Sequence, residues 1–299
     1  MKKLIQSTLN RFGFELKRLP LGSEQLASHY INNGRIPWTY GYQEYKEHYI
    51  SEVLSNESYK QLFSDGVQLP KAYGVGLDER CIEYPWLFSN MSFDKYNYLD
   101  AGSALNHEFI LSNPFWDKRK LTILTLAPEK NCFWNKNISY DYGDLTNTPY
   151  KDHWYDEIIC LSTLEHVGMD NSVYTNENLA QHDELYKQAL VEIKRILKPG
   201  GRLFLTVPFV AYVNYGFFQQ FDEQLLNHAA TIFSPENEQR QFYRYFENGW
   251  QQVSATDCQD CRYSEYALSL WNKDQVKDNE TEQEMVAAAR AVACVIWVK

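Results

Sequence analysis

The sequence is short of positive charge. It has 29 Lys and Arg against 39 Asp and Glu, so its net charge at pH 7 is −10. Proteins that bind nucleic acids neutralise the phosphates with clustered Lys and Arg side chains. The composition therefore disfavours DNA or RNA as a partner.

Cysteine is also scarce, with six residues in 299. The cysteines are scattered and several lie in apolar runs, which favours reduced thiols over a disulfide framework. Cys258 and Cys261 form one C-x-x-C pair, but no second pair or suitably spaced histidines would complete a zinc site. We interpret them as ordinary thiols and predict no metal.

No hydrophobic run is long. Residues 203–213 form the longest candidate, which is shorter than the ~20 residues that span a bilayer, and Pro208 interrupts it. Residues 1–20 lack the apolar stretch of a signal peptide. Their apolar positions instead predict a short basic amphipathic helix, which packs on a protein surface or contacts an anionic membrane. These features predict a cytoplasmic protein, with peripheral contact to the inner membrane as an open alternative.

What the sequence does contain is an alternation of apolar strands and an amphipathic helix. Strands are predicted at 98–101, 121–126, 155–161, 203–207 and 291–298, and a helix at 183–197. This order is typical of an α/β fold with a mostly parallel sheet covered by helices on both faces. A strand near residue 250 and the last strand predict an antiparallel C-terminal pair.

The domain organisation follows from these changes in pattern. Residues 1–95, which are rich in aromatic residues, are predicted to form the basic helix and a helical cap. Residues 96–299 are predicted to form the main domain, with a helical lid at about 211–249. Phe217, Phe218 and Phe221 are the predicted packing face of that lid.

The segment Asp100-Ala101-Gly102-Ser103 follows the first predicted strand. A strand that ends in an acidic residue and a glycine turn is how a Rossmann-like sheet receives an adenosyl cofactor. Glycine keeps a side chain out of the cofactor's approach. The later glycines of G-x-G-x-x-G are missing, which argues against a dinucleotide, whose pyrophosphate needs them.

Further motifs follow in a consistent order: Tyr-Gly-Asp-Leu at 142–145, YDEIICLSTLEHVG at 155–168 and Lys-Pro-Gly-Gly at 198–201. With the glycine turn, they resemble the class I S-adenosylmethionine-dependent methyltransferases over residues 96–210. The resemblance implies a Rossmann-like sheet of seven strands, S-adenosylmethionine as the cofactor and methyl transfer as the activity.

The resemblance also implies the residues that bind the cofactor. They are Asp100, Gly102, Ser103, Glu129, Asp144, Leu145 and Ser162. One position departs from the family pattern, because the second strand carries Thr125 where the family has an acid for the ribose hydroxyls. Glu129, four residues later, is expected to serve the ribose instead.

A narrower resemblance is to methyltransferases of bacterial surface-polysaccharide biosynthesis. It rests on LNRFGFELKR at 9–18, GLDERCIEYPW at 76–86 and STLEHVGMDN at 162–171. It implies that the acceptor is a sugar hydroxyl on a lipid-linked or nucleotide-linked glycan.

A hydroxyl acceptor needs a general base. His166 follows the fourth predicted strand and is the expected base. Glu165 is expected either to orient His166 or to act as the base itself. Alternatively, both side chains cap the segment that follows.

Some relatives bind a metal through an E-x-x-E-H cluster. Here Ser162 stands at the first acidic position of that cluster, so the cluster is incomplete. Arg80 and Glu83 either meet the substrate or form an internal ion pair.

Two other classes of function stay open. One is a non-catalytic Rossmann-like scaffold in a glycan-assembly pathway, for which Thr125 is the only sequence hint. The other is a nucleotide-sugar dehydrogenase or epimerase. The missing glycines after Gly102, and the lack of a suitable Tyr-x-x-x-Lys pair, count against that class. The sequence does not indicate an oligomeric state.

Overall fold

The computed structural model describes residues 22–170, 182–264, 267–268 and 288–299. The predicted basic helix at residues 1–20 lies outside the described residues, as does the membrane contact predicted for it. Within the described ranges, no helix is both long and apolar enough to cross a membrane.

The centre of the protein is one eight-stranded sheet. Its strands are β1 (Asn97–Ala101), β2 (Lys120–Thr125), β3 (Ile138–Tyr142), β4 (Tyr155–Leu161), β5 (Leu197–Pro208), β6 (Asn237–Phe246), β7 (Gly249–Val253) and β8 (Ala291–Val298). They lie in the order β3-β2-β1-β4-β5-β8-β6-β7. The first five are parallel, and β8 inserts antiparallel between β5 and β6.

This topology confirms the predicted α/β Rossmann-like fold with an antiparallel strand near its C-terminus. The sheet has one strand more than the seven expected. The strand predicted near residue 250 is β7, which pairs with β6 in an antiparallel hairpin at the outer edge and not with the last strand, β8.

Helices cover both faces of the sheet. They are α1 (Ser23–Asn32), α2 (Tyr42–Ser55), α3 (Glu57–Asp65), α4 (Arg80–Asn90), α5 (Glu108–Leu111), α6 (Tyr186–Ile196) and α7 (Glu223–Phe233). Successive residues of a strand point to opposite faces, and the two cores follow this rule. Leu99 packs with α6 and α7, whereas Tyr98 packs on the opposite face with the N-terminal helices.

The N-terminal helices form one of the two helical layers. The connection from β1 to β2 contains only the four-residue α5 and a short 3-10 turn, and the connection from β2 to β3 contains only a 3-10 turn. These short connections leave much of this face of the sheet uncovered. Trp86 of α4, 1% exposed, fills it and meets Phe204 of β5 edge to face at 5.8 Å. The described part of the predicted cap is therefore continuous with the core of the main domain.

The predicted helical lid at 211–249 needs correction. Only Glu223–Phe233 is helical there, and Asn237–Phe246 is a strand within the central sheet. The sequence of β6 begins with five polar residues, so it lacks the apolar pattern of a strand there. Phe218 and Phe221 are buried as expected of a packing face, while Phe217 is half-buried.

Candidate active site

The predicted cofactor-binding residues lie at the ends of four neighbouring parallel strands or in the segments that follow them. Gly102, after β1, donates its backbone N–H to Leu124 of β2 at 2.9 Å, and Gly143, after β3, donates to Thr125 at 3.0 Å. Because these strands are parallel, their carboxyl ends meet at one edge of the sheet, where ligands bind in such folds. The structure thus brings the segments after β1, β2, β3 and β4 to one edge.

Asp100 shapes the turn after β1 from within. Its buried carboxylate accepts hydrogen bonds from the backbone N–H groups of Ala104 at 3.2 Å and Leu105 at 2.8 Å. Burial raises the pKa of this carboxyl to about 7, against the opposing effect of these two hydrogen bonds. Asp100 therefore holds the turn that would receive a ligand.

Gly102 is required by a close approach within the protein. Its φ of +119° is strained for other residues, and an added Cβ would lie 2.2 Å from the Oγ1 atom of Thr163 in the turn after β4. The sequence argument gave the cofactor's approach as the reason for this glycine. In the structure, the contact between the turns after β1 and β4 already requires it.

Two serines at this edge adopt left-handed backbone conformations. Ser103 has φ of 63° and Ser162 has φ of 41°. Such conformations cost free energy in non-glycine residues and cluster at functional sites. The Ser103 hydroxyl is also buried without a hydrogen-bond partner in the part of the chain described. An unsatisfied buried hydroxyl fits a site that completes its hydrogen bonds with a polar ligand.

The loop after β2 is tied to the turn after β1. Glu129 accepts a hydrogen bond from the Asn106 side chain at 2.6 Å, and the Asn106 carbonyl accepts one from the Tyr140 hydroxyl at 2.8 Å. That hydroxyl also accepts the backbone N–H of Phe133 at 2.8 Å. This network places Glu129 beside the β1 turn. Sequence reasoning missed Asn106 and Tyr140, because neither lies in a recognisable motif.

Asp144 and Leu145 close the β3 side of the edge. The Asp144 carboxylate accepts the backbone N–H of Thr146 at 2.8 Å, which fixes the local turn. Leu145 is buried against the core that contains Leu124. The two residues therefore belong to an ordered turn beside the end of β2.

Glu83 joins α4 to the ends of β4 and β5. One carboxylate oxygen accepts hydrogen bonds from the hydroxyls of Ser162, at 2.6 Å, and Thr206. The other pairs with the Arg80 guanidinium at 2.7 Å, and Glu83 is fully buried. Arg80 and Glu83 thus form the internal ion pair that the sequence left as one of two readings.

His166 is held in one tautomer. Its Nδ1 atom lies 2.9 Å from the carbonyl oxygen of Phe217. Because a carbonyl can only accept, Nδ1 carries the hydrogen and Nε2 carries the lone pair of the neutral ring. Burial lowers the pKa of this imidazole below its usual 6.5, despite the Phe217 carbonyl, so the ring is neutral at pH 7.

Glu165 does not orient His166. The two side chains share no hydrogen bond, and the Glu165 Oε2 atom has no partner anywhere in the described ranges. Glu165 is 1% exposed, and burial raises the pKa of its carboxyl well above the ordinary value. The predicted orienting role falls instead to the Phe217 carbonyl.

Three aromatic side chains, which we call the aromatic wall, line this region. Tyr215 stacks on Phe218 with ring centroids 4.9 Å apart, and Tyr263 lies 4.9 Å from Phe218 on another side. The His166 ring lies 5.8 Å from Phe218. The wall thus borders the histidine. Sequence reasoning missed Tyr215 and Tyr263, which stand in segments without a clear pattern.

In the residues that the structure describes, no group of three or more His, Cys, Asp or Glu side chains is arranged to hold a metal ion. Cys258 and Cys261 are buried free thiols. Burial raises the pKa of the Cys258 thiol to about 12.

Comparison with known proteins finds a methyltransferase domain in this chain. A family model described as a methyltransferase domain matches residues 121–205, which run from β2 into β5. A search of curated proteins found no match.

Three solved structures illustrate the likeness to known folds. An S-adenosylmethionine-dependent methyltransferase from Thermotoga maritima is 14% identical over 73% of this chain and 87% of its own, with a TM-score of 0.43. The Burkholderia thailandensis 1,6-didemethyltoxoflavin-N1-methyltransferase with bound S-adenosylhomocysteine is 12% identical over 95% and 93%, with a TM-score of 0.42. The 4+2 cyclase SpnF is 15% identical over 81% of each chain, also with 0.42. At these values the likenesses carry no argument about substrate or mechanism.

The matched domain defines the class of this protein. Residues 121–205 match a methyltransferase domain, which supports an enzyme that uses S-adenosylmethionine as its cofactor. The turn after β1, with the unsatisfied Ser103 hydroxyl, fits a polar ligand of this kind.

Proposed function

We propose that this methyltransferase acts on a hydroxyl group of a sugar or glycan intermediate, with His166 as the general base. The observation that carries the proposal is the fixed tautomer of His166 beside the aromatic wall. The cofactor supplies an electrophilic methyl group, so the protein has to position the acceptor and remove its proton.

His166 is suited to take that proton. Its Nε2 atom carries the lone pair, and its lowered pKa keeps the ring neutral at physiological pH. When Nε2 accepts a proton, the Nδ1–H bond to the Phe217 carbonyl becomes charge-assisted and stronger. The same hydrogen bond that selects the tautomer therefore also stabilises the protonated ring.

The proposed cofactor residues divide into those that touch the ligand and those that shape the site. Ser103 and the backbone of its turn would hold the amino-acid end. Glu129 would hold the ribose, because a carboxylate that accepts one hydrogen bond from Asn106 keeps capacity for more. Asp144 and Leu145 would border the adenine. Asp100, Gly102 and Ser162 act through the turns that they hold.

Two features support a sugar as the acceptor. Aromatic faces such as those of Tyr215 and Tyr263, both half-buried, can pack on the apolar face of a sugar ring. The net charge of −10 disfavours nucleic acid. The resemblance to methyltransferases of surface-polysaccharide biosynthesis points to the same acceptor, and contact of the N-terminal segment with the inner membrane belongs to this proposal.

The test is an acceptor screen with free sugars and nucleotide sugars, in which production of S-adenosylhomocysteine is measured. A His166→Gln variant should lose about 100-fold or more in kcat, as expected when a general base is removed. Its affinity for S-adenosylhomocysteine should be unchanged. His48→Gln is the matched control, because His48 is exposed on α2. Full activity of His166→Gln would contradict the assignment.

A further inference from the structure

Buried acidic groups are in excess at the start of α4. Asp78 is 3% exposed and pairs with Lys46 at 2.7 Å. Glu83 is fully buried and pairs with Arg80 at 2.7 Å. Each of these two carboxylates therefore has a cation of its own.

Two further carboxyl groups nearby form no ion pair with any of the residues that the structure describes. Glu79 is 8% exposed, and the side-chain contact that the structure gives it is a 3.3 Å hydrogen bond from the backbone N–H of Ala289. Glu165 is 1% exposed, and its Oε2 atom is unpartnered among the residues described. A buried polar atom without a partner is costly, and a charged one more so. These two groups are therefore suited to receive a ligand that supplies hydrogen bonds and positive charge.

The aromatic wall lies next to these carboxyl groups. Backbone contacts bring them together: the Ala289 N–H donates to Glu79 at 3.3 Å, and the Ala288 carbonyl accepts the N–H of Ser264, next to Tyr263, at 3.1 Å. The Glu165 carbonyl accepts the N–H of Gln219, next to Phe218, at 3.0 Å. The charges of Glu79 and Glu165 add to the effect of burial in raising the pKa of the Tyr263 phenol. The faces of Tyr215, Phe218 and Tyr263 carry the negative part of the ring quadrupole. Aromatic faces beside carboxylates are the usual environment for organic cations in proteins.

We propose that Glu79, Glu165 and the aromatic wall bind an organic cation, and that this cation is the ammonium group of an amino-sugar acceptor. The inference rests on the proposed function, because it specifies the acceptor of the same site. The acceptor is favoured as the source because the wall borders His166, the proposed base. The sulfonium group of the cofactor is the other source of such a cation, and the experiment separates the two.

Proton release should accompany binding. Burial raises the pKa of Glu79 to about 8, with further contributions from Asp78 and Glu83, and it raises that of Glu165. Glu79 is therefore largely protonated in the free protein at pH 7, and burial favours the protonated form of Glu165 in the same direction. A bound cation favours the carboxylate form, so protons leave as the ligand enters. Among the described residues, the charged or titratable groups that act on this pair include Asp78, Glu83, Arg80, Cys160 and Tyr263.

The experiment is calorimetric titration of the full chain, saturated with S-adenosylhomocysteine, with glucosamine and with glucose. These sugars differ only in an ammonium or a hydroxyl group at one carbon. Titrations in two buffers of different ionisation enthalpy give the number of protons released. Glu165→Gln is the informative variant, because glutamine resembles the protonated acid of the free protein and should fold. Glu79→Gln is the second variant, and Glu247→Gln, at an exposed position, is the control.

We expect glucosamine to bind with proton release and glucose to bind at least about tenfold more weakly. Glu165→Gln should remove this preference and the proton release, whereas Glu247→Gln should change neither. A different outcome is that neither sugar is preferred, that S-adenosylmethionine binds the apoprotein more tightly than S-adenosylhomocysteine, and that Glu165→Gln abolishes this difference. In that case the site binds a cation, but the cation is the sulfonium of the methyl donor. This result would overturn the amino-sugar assignment.

Equal binding of both sugars, together with a donor preference that Glu165→Gln does not alter, would overturn the cation site itself. The proposed function fails differently. In that case the wild-type protein would not bind S-adenosylhomocysteine, or His166→Gln would keep full activity, whatever the sugars do.

Discussion

Replacing Glu83 by glutamine tests whether this residue holds the active-site edge together. The fully buried carboxylate pairs with Arg80 and accepts hydrogen bonds from Ser162 and Thr206. A hydrogen bond to a charged group contributes about 1.5–3 kcal/mol, and loss of one partner of a buried ion pair costs about 3–5 kcal/mol. Glutamine keeps the shape and part of the hydrogen bonding, and Arg80 retains some contact with water. We therefore expect a loss of about 3 kcal/mol in the free energy of unfolding.

Urea denaturation measures this effect, with the midpoint read at a constant m-value. The matched control is Glu57→Gln, which removes the ion pair between Glu57 and Lys60. The Glu57 side chain is 84% exposed. Exposed pairs of this kind contribute about 0–1 kcal/mol. Glutamine has one acceptor oxygen where Glu83 uses one for Ser162 and Thr206 and the other for Arg80. The turn that holds Ser162 should therefore shift, so Glu83→Gln should also weaken the binding of S-adenosylhomocysteine. A Glu83→Gln variant as stable as the Glu57→Gln control would refute the reasoning.

Three further predictions concern the β1 turn, the base and the C-terminal lysine. Gly102→Ala should lose about 1–3 kcal/mol of stability or more, because its Cβ would meet Thr163 at 2.2 Å; urea denaturation measures this, and wild-type stability would contradict it. The rate of methyl transfer should fall as pH drops and His166 takes up a proton, with a midpoint below 6.5 because burial lowers its pKa; a pH–rate profile with a midpoint above 6.5 would exclude His166. Lys299→Met should lose about 1 kcal/mol, because the Lys299 ammonium donates to the Leu197 carbonyl at 2.6 Å at the end of α6; thermal denaturation tests this, and an unchanged midpoint would contradict it.

The prediction of the fold depended on local patterns. The apolar runs of β1, β2, β4, β5 and β8 are buried on both faces, so they stand out in the sequence. The strand β6 does not, because its first half is entirely polar and only its second half is rich in aromatic residues. Its place in the sheet comes from pairing with β8, about 50 residues later in the chain. A local pattern contains no information about such a partner.

The sequence by itself determined the α/β class, the glycine turn after β1 and the order of the segments that reach the carboxyl edge of the sheet. These features depend on side-chain period and on turn chemistry, which act between near neighbours. Only the tertiary structure decided the partners of the site residues. It showed that Glu83 binds Ser162 across the fold, that Phe217 orients His166, and that Gln219 donates to the Glu165 carbonyl. Such contacts join residues far apart in the chain, so their distance, burial and charge are set by folding.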